Sequence, residues 1–326
     1  MNLKKEVMSK LIRAGQAKRA DASLVCKYCG SSKILATKIY TYKESGNSAR
    51  RYRCSDCGVH FKVNIGNKEH VRVLIISDTH CGHVTGLTPP EYQQVKKEFS
   101  QFQKDGWLWY YNMLNRLKPI DVLICNGDLI DGRQERSGGS ELITGNRVEQ
   151  CDMAIECIRN VGAKKTYIVR GTPYHTGKLE DWEDIIAKNT NACDIGNRLK
   201  ININGCIIDT RHKVGRSTIP HGRFTQMAKA AMWDDLQTIG KSDYRSNIII
   251  RSHVHYHVFG GHSNNRIFMT TPALQGRTNY GDKECEGSID YGFVKIDIDN
   301  NGLVDNWKCY TASLDTNNIP IIDVSF

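Results

Sequence analysis

The sequence predicts a large α/β domain preceded by a small zinc-ribbon domain. From residue 71 onward, short apolar runs alternate with stretches of helical length and spacing, as in a domain built around a central sheet. Before that point the chain carries two CxxC pairs and an excess of positive charge. We therefore place the domain boundary near residue 70, with one part at residues 1–70 and the other at residues 71–326.

The composition argues against a membrane or secreted protein. Of the 326 residues, 40% are hydrophobic and 25% are charged, and no apolar run approaches the ~20 residues of a membrane helix. The first residues, MNLKKEVMSKLIRAGQAKRAD, are charged and amphipathic and lack the apolar centre of a secretory signal. Eight of the 12 cysteines lie singly, as small core residues do in a reducing compartment. We expect a cytoplasmic protein without disulfides.

The N-terminal part has the pattern of a zinc ribbon. Cys26 and Cys29 form one CxxC pair, and Cys54 and Cys57 form another after 24 intervening residues. Two such turns bring four thiolates to one point, which suits one structural Zn²⁺. Between them, ILATKIYTY and ARRYR have strand composition, and ESGN is a turn. A basic amphipathic helix is expected ahead of the ribbon, with Leu3, Val7, Leu11 and Ile12 on one face.

The excess of positive charge is confined to this N-terminal part. Residues 1–72 contain 16 Lys and Arg against 5 Asp and Glu, whereas the remaining residues contain 29 against 30. Cations neutralise phosphates and exposed aromatic rings stack on unpaired bases, so we expect Arg50, Arg51, Tyr52 and Arg53 to contact nucleic acid. The alternative is that the aromatic side chains form the ribbon's own core and the charges are only solvated. CKYCGS and RYRCSDCGVHF also resemble the zinc ribbons near the N-termini of some insertion-sequence transposases, which implies contact with DNA more than with RNA.

In the larger part, Asp and His residues gather where strands are predicted to end. The predicted strands include VRVLIISD, DVLICNGD, KTYIVRG and NIIIRSH, and helices are expected near 91–117, 141–162 and 223–240. The residues at the strand ends are Asp78, His80, Asp128, His175, His212, His253 and His255. Sites form at the carboxyl ends of strands in open α/β sheets.

The spacing of these residues predicts a metal site. Residues i and i+2 of an extended chain point to the same side, so Asp78 with His80, and His253 with His255, would each approach one site. Carboxylate and imidazole ligands together suit Mn²⁺, Fe or Zn²⁺. The donors are numerous enough for two divalent ions, and Asp128, on a glycine-flanked turn, would be placed to bridge them.

The ordered motifs DTH, GDLIDG, a G…H element, a single His and SHVH resemble those of the calcineurin-like metallophosphoesterases. The resemblance implies a β-sandwich core flanked by helices. It also implies that Asp78, His80 and His255 hold the first metal, that His212 and His253 hold the second, and that Asp128 bridges them. In that family the metal pair activates a nucleophile for in-line attack on phosphorus, and His175 would sit over the phosphate as a catalytic residue.

The sequence departs from the family pattern at two places. The last motif has Ser252 in place of glycine, which also fits a tight strand end. The family's G-N-H becomes Gly171-Thr172-Pro173-Tyr174-His175, so the Asn ligand of the second metal is missing. The hydroxyl of Thr172 or a water would take its place.

Three alternatives for the function stay open, because proteins of one fold act on many classes of phosphoester. The basic ribbon favours a nuclease or DNA-end phosphodiesterase. A phosphomonoesterase acting on phosphoproteins or nucleotides would instead use the ribbon for protein docking. A non-catalytic DNA-binding protein would have a metal site degraded at Thr172.

Overall fold

The computed structural model describes residues 18–19, 26, 28–41, 48–64, 70–95, 99–178, 181–261, 266–284, 287 and 289–314. The chain divides into two compact units between His70 and Val71. The predicted N-terminal helix lies outside the described residues. Within the ranges above, none of the helices combines the length and the apolar character needed to cross a membrane.

The N-terminal unit contains one antiparallel sheet of four strands. In chain order they are β1 (Lys18–Arg19), β2 (Ile34–Thr41), β3 (Ser48–Cys54) and β4 (His60–Asn64). Strands β2 and β3 are the two predicted from the sequence, and they pair from Ile34 opposite Cys54 to Thr41 opposite Ser48.

The second unit contains eleven described strands in two sheets. In chain order they are β5 (Val71–Ile76), β6 (Val122–Asn126), β7 (Lys165–Val169), β8 (Asp194–Gly196), β9 (Leu199–Ile203), β10 (Cys206–Lys213), β11 (Ile248–Ser252), β12 (Phe259–Gly260), β13 (Ile267–Thr270), β14 (Tyr291–Ile298) and β15 (Val304–Ala312). The first sheet has the order β15-β14-β5-β6-β7-β8, and the second has the order β12-β13-β11-β10-β9. Strands β5 to β8 run parallel, as do β10, β11 and β13.

Four helices pack on the outer faces of the two sheets, namely α1 (Ser100–Leu117), α2 (Arg147–Val161), α4 (Trp182–Asn189) and α5 (Arg223–Gln237). Two short helices are α3 (Pro173–Thr176) and α6 (Asn279–Glu284), and single 3-10 turns lie at Pro90–Tyr92, Pro220–Gly222 and Ser242–Tyr244. Helices α1, α2 and α4 share a core with one face of the first sheet. Helix α5 packs on the second sheet through Met227 and Ala231 against Ile249.

Alternation along the strands explains the layers. On β5, Val73 and Ile75 face the second sheet, whereas Leu74 and Ile76 belong to the core beneath the helices. Because both faces are buried, such strands read as continuous apolar runs, which is why the sequence revealed them. The prediction of a β-sandwich core flanked by helices is confirmed.

Three helix boundaries differ from those predicted. The helix expected near 91–117 begins at Ser100, because Pro90–Tyr92 is a 3-10 turn followed by extended backbone at Gln93. The helix expected near 141–162 begins at Arg147, where the side chain of Asn146 caps it by accepting from the Val148 amide. The third helix ends at Gln237 rather than near residue 240.

Candidate metal centre

Five of the donor residues lie on turns that follow strand ends, whereas His212 lies within β10 and His175 within α3. β5 ends at Ile76 and β11 at Ser252, and the donors come directly afterwards. These five have positive φ: Asp78 (50°), His80 (41°), Asp128 (51°), His253 (76°) and His255 (56°). This corrects the expectation of extended chain. Side chains in the left-handed region are held there only where their surroundings enforce it, and such strain clusters at functional sites.

The structure brings all seven predicted Asp and His residues together. Their ligand atoms form three groups within 4.8 Å: Asp78, His80 and His255; Asp128, His212 and His253; and His80, Asp128 and His175. The first two groups match the two predicted ligand sets. The third shares a residue with each of the others, so the two sets adjoin.

Individual distances show how the two carboxylates connect these sets. His212 Nε2 lies 2.9 Å from Asp128 Oδ2 and 3.9 Å from Asp78 Oδ1. His255 Nε2 lies 3.3 Å from Asp78 Oδ1, and His253 Nδ1 lies 3.9 Å from Asp128 Oδ2. Both carboxylates therefore lie between imidazoles, in a centre large enough for two ions.

Hydrogen bonds at the far side of the rings fix their tautomers. His212 Nδ1 donates to the carbonyl oxygen of Asn126 at 2.7 Å. His175 Nδ1 donates to the carbonyl oxygen of Asp131 at 2.8 Å, and His80 Nδ1 contacts the Asp131 carboxylate at 2.9 Å. A carbonyl only accepts, so the proton is on Nδ1 and the lone pair is on Nε2. Metal-binding histidines show this pattern of outer hydrogen bonds.

Two donor atoms of the centre have lone pairs that no protein group satisfies. Asp78 Oδ1 and His80 Nε2 are buried and without a hydrogen-bond partner. Buried polar atoms are nearly always paired in proteins, so these two atoms suit contact with a cation. His212 Nε2 is paired with Asp128 Oδ2 at 2.9 Å, a contact that requires either a proton on Nε2 or a metal between the two atoms. The residues present thus fit a divalent metal centre.

The electrostatics favour added positive charge. Burial alone would lower the pKa of His212, but Asp128 and Asp78 outweigh it and raise that pKa to about 10. Burial would raise the pKa of Asp78, yet His212 and His255 hold it at about 2. Burial, with His175 adding to it, lowers the pKa of His80 to about 4, which keeps this ring neutral as a ligand must be.

Asp128 is held by the segment that replaces the family's G-N-H. The amide of Thr172 donates to Asp128 Oδ1 at 2.6 Å, and its hydroxyl lies 3.1 and 3.2 Å from the two carboxylate oxygens. A Cβ on Gly171 would lie 2.2 Å from Asp128 Oδ1, so glycine is needed there. The Thr172 hydroxyl thus has a partner in Asp128, and its role as a metal ligand stays a prediction.

The sequence analysis did not identify two carboxylates that hold parts of the centre in position. Asp131 bonds to His80 and receives a 2.7 Å bond from Gln134, and its place in GDLIDG was the available signal. Glu183 is buried in α4 and accepts from the amides of Leu129 (2.9 Å) and Gly171 (2.6 Å), joining the loops that follow β6 and β7. Burial raises its pKa to about 8.

The four cysteines of the ribbon also converge. The sulfurs of Cys26 and Cys57 are 3.7 Å apart, those of Cys29 and Cys54 are 3.5 Å apart, and all four lie within 4.8 Å. Each CxxC turn closes with the same hydrogen bond, from Gly30 to Cys26 and from Gly58 to Cys54. The cluster is compatible with the tetrahedral zinc site of a ribbon.

The β3 residues predicted to contact nucleic acid point alternately to the outside and to the core of the ribbon. Arg51 and Arg53 are exposed, whereas Tyr52 is only 5% exposed and stacks on Phe61 at 5.8 Å between centroids. Tyr52 belongs to the ribbon core, which corrects its assignment as a base-stacking residue. The side chain of Arg50 lies outside those described.

The fold and the Asp/His clusters are those expected of the metal-dependent phosphoesterase class. The calcineurin-like phosphoesterase family model matches residues 71–267, more than half of the chain. The protein belongs to this family.

Similar solved structures include Vps29 of Chaetomium thermophilum, with 11% identity and a TM-score of 0.37 over 74% of this chain and 98% of that one. They also include an archaeal phosphodiesterase, with 10% identity and a TM-score of 0.38 over 74% and 99%. A dimetal phosphatase of Danio rerio has 9% identity and a TM-score of 0.37 over 75% and 100%. A comparison with curated proteins found no significant match.

Proposed function

We propose that this protein is a dinuclear metal-dependent phosphodiesterase that acts on nucleic acid, DNA more than RNA, as a nuclease or at DNA ends. The division of charge carries the proposal: 16 Lys and Arg against 5 Asp and Glu lie in residues 1–72, with the four-cysteine cluster, and the rest is near neutral. A basic module that precedes a near-neutral catalytic domain in the sequence favours a polyanionic substrate. Exposed Arg53 and the 62% exposed ring of Tyr28 suit phosphates and bases.

The proposed ligand sets follow the geometry. Asp78, His80 and His255 would hold one ion and His212 with His253 the other, with Asp128 shared between them. Divalent ions held there polarise a phosphoryl oxygen and stabilise the charge that develops during hydrolysis. Mn²⁺, Fe and Zn²⁺ all suit this mixture of carboxylate and imidazole.

His175 is the proposed proton donor to the leaving oxygen. Its side chain is 19% exposed, whereas that of the neighbouring His80 ring is 3% exposed, so His175 lies on the open side of the centre. The Asp131 carbonyl holds the proton on Nδ1 and fixes the ring. Nε2 is then the atom that would take up a proton and pass it to the departing group.

The test offers the full chain with Mn²⁺ to labelled single-stranded DNA, double-stranded DNA and RNA, and to a small phosphodiester and its monoester counterpart. We expect cleavage of nucleic acid and of the diester, lost in Asp128→Ala. Asp105→Ala, which removes an exposed carboxylate on α1, should cleave like the parent protein.

Other outcomes would contradict the proposal in distinct ways. Turnover of the monoester alone would indicate a phosphomonoesterase that uses the ribbon for protein docking. DNA binding with no ester turned over under several metals would indicate a non-catalytic protein. Deletion of residues 1–65 should weaken nucleic-acid binding but leave hydrolysis of the small diester intact.

A further inference from the structure

A second feature of the larger unit is a cavity of about 590 Å³ on the outer face of the second sheet. One wall consists of Arg211 and Lys213 on β10 and Arg251 on β11. Helix α5 supplies the opposite wall with Gln226, Lys229 and Trp233. The lining therefore contains five cations, with Arg198 as the fifth, and one large aromatic ring.

The cavity and the metal centre lie on opposite faces of the same strand ends. His212 is buried and belongs to the metal centre, and neighbouring residues of a strand point to opposite faces. Arg211 and Lys213, on either side of His212, are exposed toward the cavity.

Two of the lining cations already have a partner. Asp209 is fully buried and accepts from Arg198 at 2.7 and 2.9 Å and from Arg251 at 2.9 Å. The only carboxylate in the lining, Asp234, is engaged by Lys200 at 2.9 Å and by Arg266 at 3.2 Å. Neither carboxylate neutralises the rest of the wall.

Three cations remain available to a ligand. Within the part of the chain that the structure describes, no carboxylate lies within ion-pair distance of Arg211, Lys213 or Lys229. All three are exposed, so a bound phosphate would stay at the surface and the chain carrying it could continue on both sides. This openness suits a polymer better than an isolated nucleotide.

The aromatic ring completes the pattern. Trp233 is 52% exposed on α5 and does not join the core that the helix makes with Ile249. Cations that track phosphates beside an aromatic face that stacks on a base are the features of single-strand binding sites.

We propose that this cavity binds a single-stranded segment of the nucleic-acid substrate, with its phosphates on Arg211, Lys213 and Lys229 and a base on Trp233. The inference rests on the proposed function and names a substrate-binding surface of the catalytic unit, separate from the ribbon.

The experiment measures binding of a fluorescent single-stranded 20-mer to the full chain in the Asp128→Ala background, so that the oligonucleotide stays intact. Lys229→Gln should reduce the slope of log affinity against log salt by about 0.7, the value for one lost phosphate contact on a single strand. Trp233→Ala should weaken binding about 5- to 100-fold. Lys104→Gln and Tyr111→Ala, which change an exposed lysine and an exposed aromatic on α1, are the matched controls.

Equal affinity and equal salt slope in the variants and their controls would overturn the inference. So would a loss of mononucleotide binding with oligonucleotide binding unchanged, because the cavity would then hold a small ligand. Lys229→Gln, at an exposed position, remains informative even where Trp233→Ala unfolds. Cleavage of nucleic acid by the parent protein together with unaltered binding in the variants would reject this surface alone. Absence of any cleavage or binding by the parent protein would reject the proposed function.

Discussion

The four-cysteine cluster and the Asp/His centre differ in whether the candidate metal ligands are themselves part of the hydrophobic core. In the ribbon, Cys26 and Cys54 are themselves part of the hydrophobic core, which otherwise contains Ile34, Tyr52 and Phe61 among the described residues. In the larger unit the donors lie at the end of a sandwich whose sheets and helices form cores of their own.

We expect this difference to separate a metal that supports folding from one that serves the proposed chemistry. The core that the described ribbon residues form is small and includes two of the cysteines, so we expect metal binding to contribute to the folding of the ribbon. The larger unit has two extensive cores of its own, and its donors are kept in left-handed turns that suit a metal.

The largest expected effect is therefore on the ribbon. Cys54→Ser should abolish zinc binding there and unfold the module, because structural zinc contributes an apparent ~10–16 kcal/mol in small zinc modules. Elemental analysis and amide hydrogen exchange over β2, β3 and β4 measure both effects, and exchange in the sandwich should not change. Cys193→Ser, at an exposed cysteine outside the cluster, is the control. A ribbon that stays protected without zinc would contradict the comparison.

The next largest effect is expected for a variant that loses activity but keeps its metal ions. His175→Ala should lower kcat about 10²- to 10⁴-fold, the usual contribution of a general acid, while both ions are retained. Turnover of the small diester and metal content are measured on the same samples, with the exposed His221→Ala as control. Loss of an ion together with activity would make His175 a ligand, which its place in the group with His80 and Asp128 allows.

A smaller effect is expected at Asp131, which acts by orienting the candidate metal ligand His80. Asp131→Asn should weaken metal binding about 10- to 100-fold, because the carboxylate that orients His80 loses its charge. Titration with Mn²⁺ under competition measures the affinity, and Asp152→Asn, at an exposed position on α2, is the control. Unchanged affinity would show that the orientation of His80 does not depend on Asp131.

The strands that the sequence revealed are those whose side chains are apolar on both faces. β14 was not predicted, although all eight of its residues are buried. It contains Lys295 and Asp297, which form an ion pair at 2.5 Å, and Asp297 also binds Arg72 at 2.9 Å. Pairing allows the two charged side chains to be buried. Their presence in the sequence interrupts the apolar run that would have predicted β14.

The donors were found from their order along the chain, but their backbone conformation was not. Spacing of i and i+2 indicated that Asp78 and His80 converge, and the structure reaches that result through left-handed turns rather than extended chain. Glu183 lies on the same face of α4 as Ile186 and Ala187. A carboxylate on the apolar face of an amphipathic helix was the signal that could have revealed it.

The smallest effect tests the residue at which this chain departs most from the family pattern. Thr172→Val removes the hydroxyl from Asp128 but keeps the 2.6 Å bond from the amide. If the hydroxyl only orients Asp128, kcat/KM should fall by about three- to tenfold, the net contribution of one ordinary hydrogen bond, because the shorter amide bond still holds the carboxylate. Both ions should remain bound, and Thr172→Ser should restore activity. If the hydroxyl instead ligates the second ion, Thr172→Val should lose that ion, and the metal content would fall toward one per centre. The two outcomes separate because orientation changes a rate, whereas ligation changes a stoichiometry.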